Sequence, residues 1–224
     1  MRITAASLTL LAAACTVAQA ITLSDYAKQN RLVLFTAVKG SVMPNTMDQT
    51  NNLKEGDKAL LLSGKELTTL DGISRLTVID EGRQVPITSV RNLHLFVNHN
   101  RLRALPDELS ALDNVVFLYC EHNQLSALPP ALADMQSLEG MYYTDNRFSE
   151  IPAFVFQMTR LKKLQFSKNR IRVLPREIGN LKELRHFNMA GKQIAEIPDT
   201  MANLTRLRVC DLSDNPFTEL PESF

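Results

Sequence analysis

Apolar and polar positions repeat along the second half of the chain with a constant interval of 23 residues. Each unit contains an Asn or a Lys, an apolar residue two positions later, and a Leu-Pro or Ile-Pro pair that begins five positions later. No insertion or deletion interrupts the interval over six successive units. A fixed period of about 20 to 50 residues predicts a solenoid, in which each unit packs only against its neighbours. The residues at the Asn position are Asn100, Asn123, Asn146, Asn169, Lys192 and Asn215.

Each unit divides into a strand and a return. The residues five and three positions before the Asn are apolar, as Leu118 and Cys120 are, and this alternation is the period-2 signal of a strand. A later apolar set spaced by three, such as Ile178, Leu181 and Leu184, predicts a helical or 3-10 return headed by the proline. We therefore predict an α/β fold, with a curved parallel sheet on the concave face and short returns on the convex face.

The repeated Asn side chains are predicted to be structural. An amide side chain can donate to and accept from backbone groups that a turn leaves unpaired, so the series forms an internal ladder. Lys65 and Lys192 occupy the same position in two units, and a lysine cannot accept hydrogen bonds. Each is either a tolerated variant, helped by the glycine before it, or a side chain that projects toward a ligand. The predicted ladder comprises Asn100, Asn123, Asn146, Asn169 and Asn215.

The fullest units are LEGMYYTDNRFSEIPAFVFQMTR, residues 138–160, and LKKLQFSKNRIRVLPREIGNLKE, residues 161–183. They resemble the 23-residue leucine-rich repeats of the Scribble and Ras-suppressor type, with the text LxxLxLxxNxLxxLPxxLxxLxx. The resemblance extends in strict register over residues 93–221. It implies a leucine-rich repeat solenoid, here in an exported bacterial protein. It says almost nothing about the ligand, because fold does not imply function.

Residues 1–20 have the composition of a secretory signal peptide, with one Arg, an apolar run and an Ala-Gln-Ala cleavage pattern. A lipoprotein processed at Cys15 is the less favoured alternative. No later segment is apolar over the roughly 20 residues that a transmembrane helix needs. We therefore expect an exported protein, periplasmic or secreted.

The rest of the chain divides into three parts. Residues 21–57 are predicted to cap the solenoid, with a helix over 24–30 capped by Ser24, a strand over 31–38 and a loop over 40–57. Residues 58–92 are irregular repeats, and residues 93–224 are six regular repeats of which the last is incomplete. We expect an uncapped C-terminal edge, which favours self-association or a frayed last unit.

The net charge of the chain limits the classes of partner that it can bind. Residues 1–20 contain one Arg and no acid, so 25 basic and 24 acidic residues become 24 of each in the mature chain. A net charge of zero argues against nucleic acid as a partner.

Cys120 and Cys210 lie four strands apart, about 19 Å at the usual strand spacing, which is too far for a disulfide. Both are predicted to be buried free thiols.

The variable positions of the strands carry the candidate binding site on the concave face. Three aromatic residues, Phe96, Tyr119 and Tyr142, occupy equivalent positions on adjacent strands, and solvent-exposed aromatic clusters tend to mark binding anchors. The alternative is that aromatic side chains simply suit strands and cover each other. We predict a partner-binding surface formed by Phe96, Phe117, Tyr119, Tyr142, His94, His99, His122, Glu121, Asp145, Lys163 and Lys168.

All four histidines of the chain lie on this predicted face. His99 and His122 occupy equivalent positions on adjacent strands, with Glu121 and Asp145 nearby. The simplest interpretation is that these are solvated histidines at the rim of the concave face. Two alternatives are a pH-sensitive surface, since histidine titrates near pH 6.5, and a zinc or copper site. We favour solvated rim histidines and predict no metal site.

No sequence motif predicts catalysis. The chain has no Gly-rich phosphate loop, nucleophile elbow or metal-binding helix motif, so we predict no enzymatic activity and no cofactor. The predicted function is recognition of a protein or peptide on the concave face. One alternative is capture of a small molecule or glycan on the Phe96, Tyr119 and Tyr142 ladder, and another is a structural, self-assembling surface component.

Overall fold

A computed structural model describes residues 21–36, 53–191 and 193–222. The predicted signal peptide with Cys15, the stretch 37–52 of the predicted cap, and Lys192 lie outside these ranges. The described residues form the predicted solenoid, a mostly parallel sheet backed by short 3-10 helices. Among them, no helix has the length and apolar content that crossing a membrane requires.

The main sheet of the described chain runs in the order β12-β11-β10-β9-β8-β7-β3-β2. Its pairs are parallel except for β2 with β3, which is antiparallel. One short helix, α1, covers Leu23–Gln29. The strands are β1 Ile21–Thr22, β2 Phe35–Thr36, β3 Lys58–Leu61, β4 Leu67–Thr69, β5 Thr77–Asp80, β6 Arg83–Pro86, β7 Leu93–Phe96, β8 Val115–Tyr119, β9 Gly140–Tyr142, β10 Lys163–Gln165, β11 His186–Asn188 and β12 Val209–Asp211.

The register of the sheet reproduces the period of the sequence. Lys163 pairs with Gly140 on one side and with His186 on the other, an offset of 23 residues each way. Each strand side chain therefore lies beside its counterpart in the next unit. The side chains of this sheet form continuous rows, one residue per strand.

The irregular region is longer than a regular unit because it contains a hairpin. β3 pairs with β7 at an offset of 35 residues, as in Lys58 with Leu93, against 23 between the regular strands. The additional chain contains β5 and β6, which pair with each other as a separate antiparallel sheet.

Segments from the N-terminal region lie beside this irregular unit. α1 begins after Thr22, whose hydroxyl accepts a hydrogen bond from the Asp25 N–H at 3.1 Å, so the predicted cap at Ser24 is wrong by two residues. β2 lies at the sheet edge, and Lys58 of β3 binds both Thr36 at 3.0 Å and Asp80 at 2.7 Å. The hydrogen bond to Asp80 raises the pKa of Lys58. One lysine thereby joins β2, β3 and the hairpin.

The returns of the regular units are 3-10 helices, one of the two forms predicted. In all five, a proline occupies the N-terminal cap position, as Pro175 does. Their leucines and isoleucines pack with the inward strand residues into one continuous core. The 3-10 helices are Ile73–Arg75, Ile87–Ser89, Asp107–Ala111, Pro130–Asp134, Ala153–Gln157, Arg176–Asn180 and Asp199–Asn203.

The Asn side chains make the hydrogen bonds of a ladder. The amide of Asn146 donates to the Cys120 and Tyr143 carbonyls at 3.0 and 3.2 Å, and its oxygen accepts from the Leu125 N–H at 2.9 Å. Asn169 repeats this pattern one unit later, with Tyr143, Phe166 and Phe148. Each Asn therefore closes its own turn and joins it to the preceding unit.

Lys65 does not interrupt this pairing. Its backbone N–H donates to the Asn100 side-chain oxygen at 3.0 Å, and the Gly64 N–H donates to the Asn98 carbonyl at 3.1 Å. Its ammonium lies 6.0 Å from the ring centroid of Tyr26. The turn is thus satisfied through backbone groups and an Asn of the next unit.

Cys120 and Cys210 are both free thiols, but they differ in burial. Cys120 is fully buried, whereas Cys210 is exposed, so the prediction of burial is wrong for Cys210. Cys210 lies on β12, whose outer edge pairs with no strand in the described part of the chain. The same edge leaves Val209 and Leu220 49% and 55% exposed.

Candidate functional site

The aromatic row that the sequence places in solvent is buried. Phe96, Tyr119 and Tyr142 are 1%, 5% and 0% exposed, and Phe117 is 8% exposed. The rings stack in order across β7, β8 and β9, with centroids 4.1 Å apart between Phe96 and Tyr119 and 4.6 Å apart between Tyr119 and Tyr142. The prediction of solvent-facing aromatic anchors is therefore wrong.

Mutual stacking is only part of the reason for this burial. Ala59 of β3 belongs to the same apolar cluster, and Phe35 and Leu53 pack against it. These two residues come from the segment predicted to cap the end of the solenoid. They also lie against its sheet face, so the aromatic rings are not available for stacking a sugar or another small molecule.

A glycine makes room for the Phe117 ring of this cluster. Phe117 on β8 pairs in register with Gly140 on β9, and a Cβ at position 140 would overlap the Phe117 ring carbons Cδ1 and Cε1. The sequence places both residues on the outer face but gives Gly140 no role. A glycine at a strand position beside an aromatic residue of the preceding unit is the signal that could have identified it.

His94 is part of the buried cluster and does not belong to a solvated rim. Its side chain is fully buried, its ring stacks on Phe117 at 4.7 Å, and its Nε2 lies 3.2 Å from the Asp57 carboxylate. Burial lowers the pKa of His94 to about 4, although Asp57 acts in the opposite direction. Asp57, at the end of the predicted loop 40–57, therefore contacts the aromatic cluster through His94.

Two of the predicted charged positions are also less exposed than expected. Lys163 is buried, and Glu121 is half-buried. Lys163 therefore does not present its charge to a partner as predicted. The neighbouring Lys162 forms an ion pair with Glu139 at 2.6 Å.

The remaining predicted residues form an accessible row at the C-terminal ends of the strands. His99, His122, Asp145 and Lys168 each come directly before a ladder Asn, and we name these four residues the rim row. Three are exposed and His122 is partly exposed. All four have a left-handed backbone, with φ between 54° and 57°.

Hydrogen bonds between units fix the backbone of the rim row. The N–H groups of His122, Asp145 and Lys168 donate to carbonyls of the following unit at 3.0, 3.0 and 2.9 Å. Successive side chains are therefore held at the strand spacing, about 4.8 Å apart. A partner lying across the strands would meet them in sequence order.

The side chains within the rim row contact one another. The rings of His99 and His122 stack with centroids 4.2 Å apart, and His122 Nδ1 lies 2.7 Å from Asp145 Oδ2. Burial, followed by the neighbouring His122, lowers the pKa of His99. The row thus presents a flat imidazole pair, a carboxylate and an ammonium group.

The described residues contain no group of three or more His, Cys, Asp or Glu placed to hold a metal ion. The two imidazoles stack face to face, a geometry in which their nitrogen lone pairs do not converge on one point. Burial raises the pKa of the Cys120 thiol well above its ordinary value, which suppresses the thiolate form needed of a nucleophile. The chemistry that the site offers is therefore polar and ionic contact.

Comparisons with known proteins identify the repeat. Residues 136–194 and 206–224 match families described as Leucine rich repeat. A solved leucine-rich repeat protein of Leptospira interrogans is 26% identical to this chain, with a TM-score of 0.59. The matched region covers 70% of this chain and 43% of that protein. The plant peptide hormone receptor RGFR1, in complex with RGF2, is 30% identical with a TM-score of 0.52, covering 62% and 24%.

An internalin of Listeria monocytogenes, inlF, has a TM-score of 0.53 over 67% of this chain and 45% of its own. At 21% identity it shows the fold alone. This chain spans less than half the length of each of these three proteins. A comparison with curated proteins gives no significant match.

Proposed function

We propose that this chain, which carries leucine-rich repeats, is a non-catalytic recognition module that binds a protein or peptide partner along its rim row. The partner lies across the strands of the predicted concave face. It contacts the imidazole pair of His99 and His122, the carboxylate of Asp145 and the ammonium group of Lys168. The aromatic cluster beside the row stiffens the sheet and takes no direct part.

The fixed geometry of the rim row is the observation that carries this proposal. A non-glycine residue in the left-handed region costs about 1 kcal/mol or more, and this cost recurs in four successive units. Asp and His tolerate that conformation better than most residues, whereas Lys168 has no such advantage. The same conformation recurs at Asp214, so it belongs to the turn of the repeat, and it places the four rim side chains in one row at the edge of the sheet. A row placed in advance by the backbone suits recognition with little loss of conformational entropy.

The comparisons support the broad class. Leucine-rich repeats form a protein-interaction fold, and the plant receptor at 30% identity was solved with a bound peptide hormone. An extended peptide suits the spacing of the rim row, because one side chain per strand gives one contact per repeat.

The experiment begins by selecting peptides from a random library with residues 21–224 as bait. The affinity of the best peptide is then measured calorimetrically for the wild type and for a rim variant carrying His99→Ala, His122→Ala, Asp145→Ala and Lys168→Ala. We expect the rim variant to bind at least about tenfold more weakly, the loss that about 1.4 kcal/mol of binding energy produces.

The matched control removes exposed charges from the returns on the opposite side. It carries Asp134→Ala, Arg160→Ala, Glu177→Ala and Lys182→Ala, all exposed residues outside the sheet. Its affinity for the peptide should equal that of the wild type. Equal affinity of the rim variant and the wild type would refute the assignment of the site, and a loss in the control variant alone would move the site to the convex side.

Export is the second part of the proposal and rests on the composition of residues 1–20. Expression of the full chain in a bacterium followed by N-terminal sequencing tests it directly. A mature protein in the periplasm or medium that begins at Ile21 supports cleavage after Ala20. A lipid-modified N-terminus at Cys15 supports anchoring instead, and an unprocessed cytoplasmic chain contradicts export.

Self-association through β12 also belongs to the proposal. The strand edge is unpaired within the described residues, and Val209 beside it is exposed. Sedimentation of the wild type should show a concentration-dependent dimer that Val209→Lys abolishes. A monomer at all concentrations would remove this part and leave the rim row unaffected.

A further inference from the structure

A cleft lies between the N-terminal region and the irregular repeat, away from the rim row. Its volume is about 870 Å³, within the usual range of about 300 to 1,000 Å³ for small-molecule sites. Its walls are α1, the segment after it, the turn that contains Gly72, and the hairpin of β5 and β6. Its lining includes Lys28, Arg31, Leu32, Asp71, Arg75 and Ile79.

Backbone hydrogen bonds hold two walls of the cleft together. The Ile79 N–H donates to the Leu32 carbonyl at 2.8 Å, and the Leu34 N–H donates to the Ile79 carbonyl at 2.9 Å. The segment that carries Arg31 is thereby fixed to β5. A ligand would meet a preformed surface here and would not need to order a loop, which lowers the entropic cost of binding.

A carboxylate fixes the third wall. Glu108 accepts hydrogen bonds from the Gly72 N–H and from the Ser74 hydroxyl, the latter at 2.7 Å. The turn that leads to Arg75 is therefore anchored to the first regular return. Glu108 satisfies its own oxygens within this turn, and it does not line the cleft.

Three cations and one carboxylate line the cleft. Lys28, Arg31 and Arg75 face Asp71 alone among the lining acids. Within the described ranges neither arginine forms an ion pair within 4 Å, although the charge of Arg75 helps the hydrogen bonds from Ser74 and Gly72 to lower the pKa of Glu108. Lys28 lies 4.0 Å from Asp25. Guanidinium groups recognise carboxylate and phosphate oxygens through paired N–H donors, so two arginines that line a cleft suit an anionic group.

Part of the lining is apolar. Ala27, Leu32, Leu76 and Ile79 line the cleft, and we name these four residues its floor. The Gln84 amide donates to the Thr77 hydroxyl at 2.9 Å, and both residues also line the cleft. An anion with no apolar part would leave this surface unfilled. An organic molecule with one charged end and an apolar body would cover the floor and reach the arginines together.

We propose that this cleft binds a small organic anion, with Arg31 and Arg75 holding its carboxylate or phosphate group and Leu32, Leu76 and Ile79 contacting its apolar body. This site is separate from the rim row, and its ligand is a different class of molecule from the proposed peptide partner. Failure of either proposal would leave the other unaffected.

Four probes separate the contribution of the charged group from that of the apolar ring in a calorimetric titration of residues 21–224. Phenyl phosphate and benzoate carry an oxyanion on an aromatic ring, phenol carries the ring without the charge, and inorganic phosphate carries the charge without the ring. We expect phenyl phosphate or benzoate to bind at least about tenfold more tightly than both phenol and inorganic phosphate. Preference for phenyl phosphate over benzoate identifies the ligand class as a phosphate ester, and the reverse identifies a carboxylate.

Three variants then locate the binding site. Arg31→Gln and Arg75→Gln should each raise the Kd of the preferred probe at least about fivefold. Arg83→Gln, on the same hairpin but outside the lining, should leave it unchanged. All three arginines are exposed, so each variant should retain its circular dichroism spectrum.

Unchanged Kd values in Arg31→Gln and Arg75→Gln would overturn the proposal, as would equal binding of phenol and the anionic probes. Amide chemical shifts provide an independent readout. The preferred probe should shift the signals of Gly72, Thr77 and Gln84. Shifts confined to the rim row or to the returns of the regular units would also overturn it.

Discussion

The Phe117 ring on β8 occupies the space that a side chain at Gly140 on β9 would fill. The two residues pair directly in the parallel sheet. Tyr142, two residues after Gly140 on β9, contacts the same space. At Gly140 a neighbouring aromatic ring thus excludes even a methyl group. The burial of the aromatic cluster depends on it.

Gly140→Ala should destabilise the protein by about 2 kcal/mol, the usual cost of forcing extra volume into a packed core. Urea unfolding measures this free energy. The double variant Gly140→Ala with Phe117→Leu should recover part of the loss, because the smaller side chain vacates the space. Strictly additive effects of the two changes would show that the ring and the glycine are not coupled.

Asn146→Ala should cost roughly 3 kcal/mol. The change leaves the Leu125 N–H and the Cys120 and Tyr143 carbonyls without their partner in a buried turn. Asn215 makes equivalent bonds in a partly exposed turn, so Asn215→Ala should cost only about 1 kcal/mol because water replaces the lost bonds. Equal costs at both positions in urea unfolding would argue against burial as the deciding factor.

His94 should make the protein less stable in mild acid. Its folded-state pKa is about 4, below the ordinary value of 6.5, so the unfolded chain binds this proton more readily. The stability that neutral His94 allows is complete above pH 6.5 and declines as the pH falls toward 4, by roughly 2 kcal/mol at pH 5. Urea unfolding at pH 7 and pH 5 measures this difference.

His94→Gln provides the comparison for that pH dependence, because it removes the titrating group and keeps a polar side chain of similar size. The loss of stability between pH 7 and pH 5 should be smaller in the variant by about the amount assigned to His94. Identical pH profiles for the variant and the wild type would exclude His94 as the cause.

Lys168→Gly should stabilise the protein and weaken recognition. Lys168 has a φ of 54°, and glycine adopts this conformation without the penalty of about 1 kcal/mol that a Cβ incurs. Arg170→Gly, two residues later and outside the left-handed region, should destabilise by about 0.5 to 1 kcal/mol. Loss of stability in Lys168→Gly would show that the lysine side chain supports the fold itself.

The periodic features of this protein could be predicted from its sequence. The interval of 23 residues sets the pairing of Gly140, Lys163 and His186, because each strand occupies the same positions within its 23-residue unit. The ladder bonds of Asn146 and Asn169 follow from the same regularity. These features depend on contacts between adjacent units, which a repeated text specifies.

The burial of the outer sheet face could not be predicted in this way. Phe35 and Leu53 pack against the aromatic cluster from a part of the chain that has no repeat, so no interval relates them to Tyr119. The exposure of Cys210 was missed for a similar reason. The repeat assigns it a core position, but the burial of that position requires a neighbouring strand on each side.

The sequence predicts that the four rim residues lie on the outer face, but it does not predict that they are the accessible part of that face. The sequence gives His94 and His122 the same outward orientation. Only the structure shows one buried against Asp57 and the other stacked on His99 near the surface. The binding proposal therefore moves from the aromatic residues to the rim.

Chemical-shift mapping with a selected peptide tests the central claim most directly. Amide spectra of residues 21–224 are recorded with increasing amounts of peptide, and the shift of each signal is placed on the structure. We predict the largest shifts at His99, His122, Asp145 and Lys168, with little change at Glu177, which lies in the 3-10 helix Arg176–Asn180, and at Lys182 just after it. Shifts concentrated on the returns, with the rim row unchanged at saturation, would contradict recognition through this row.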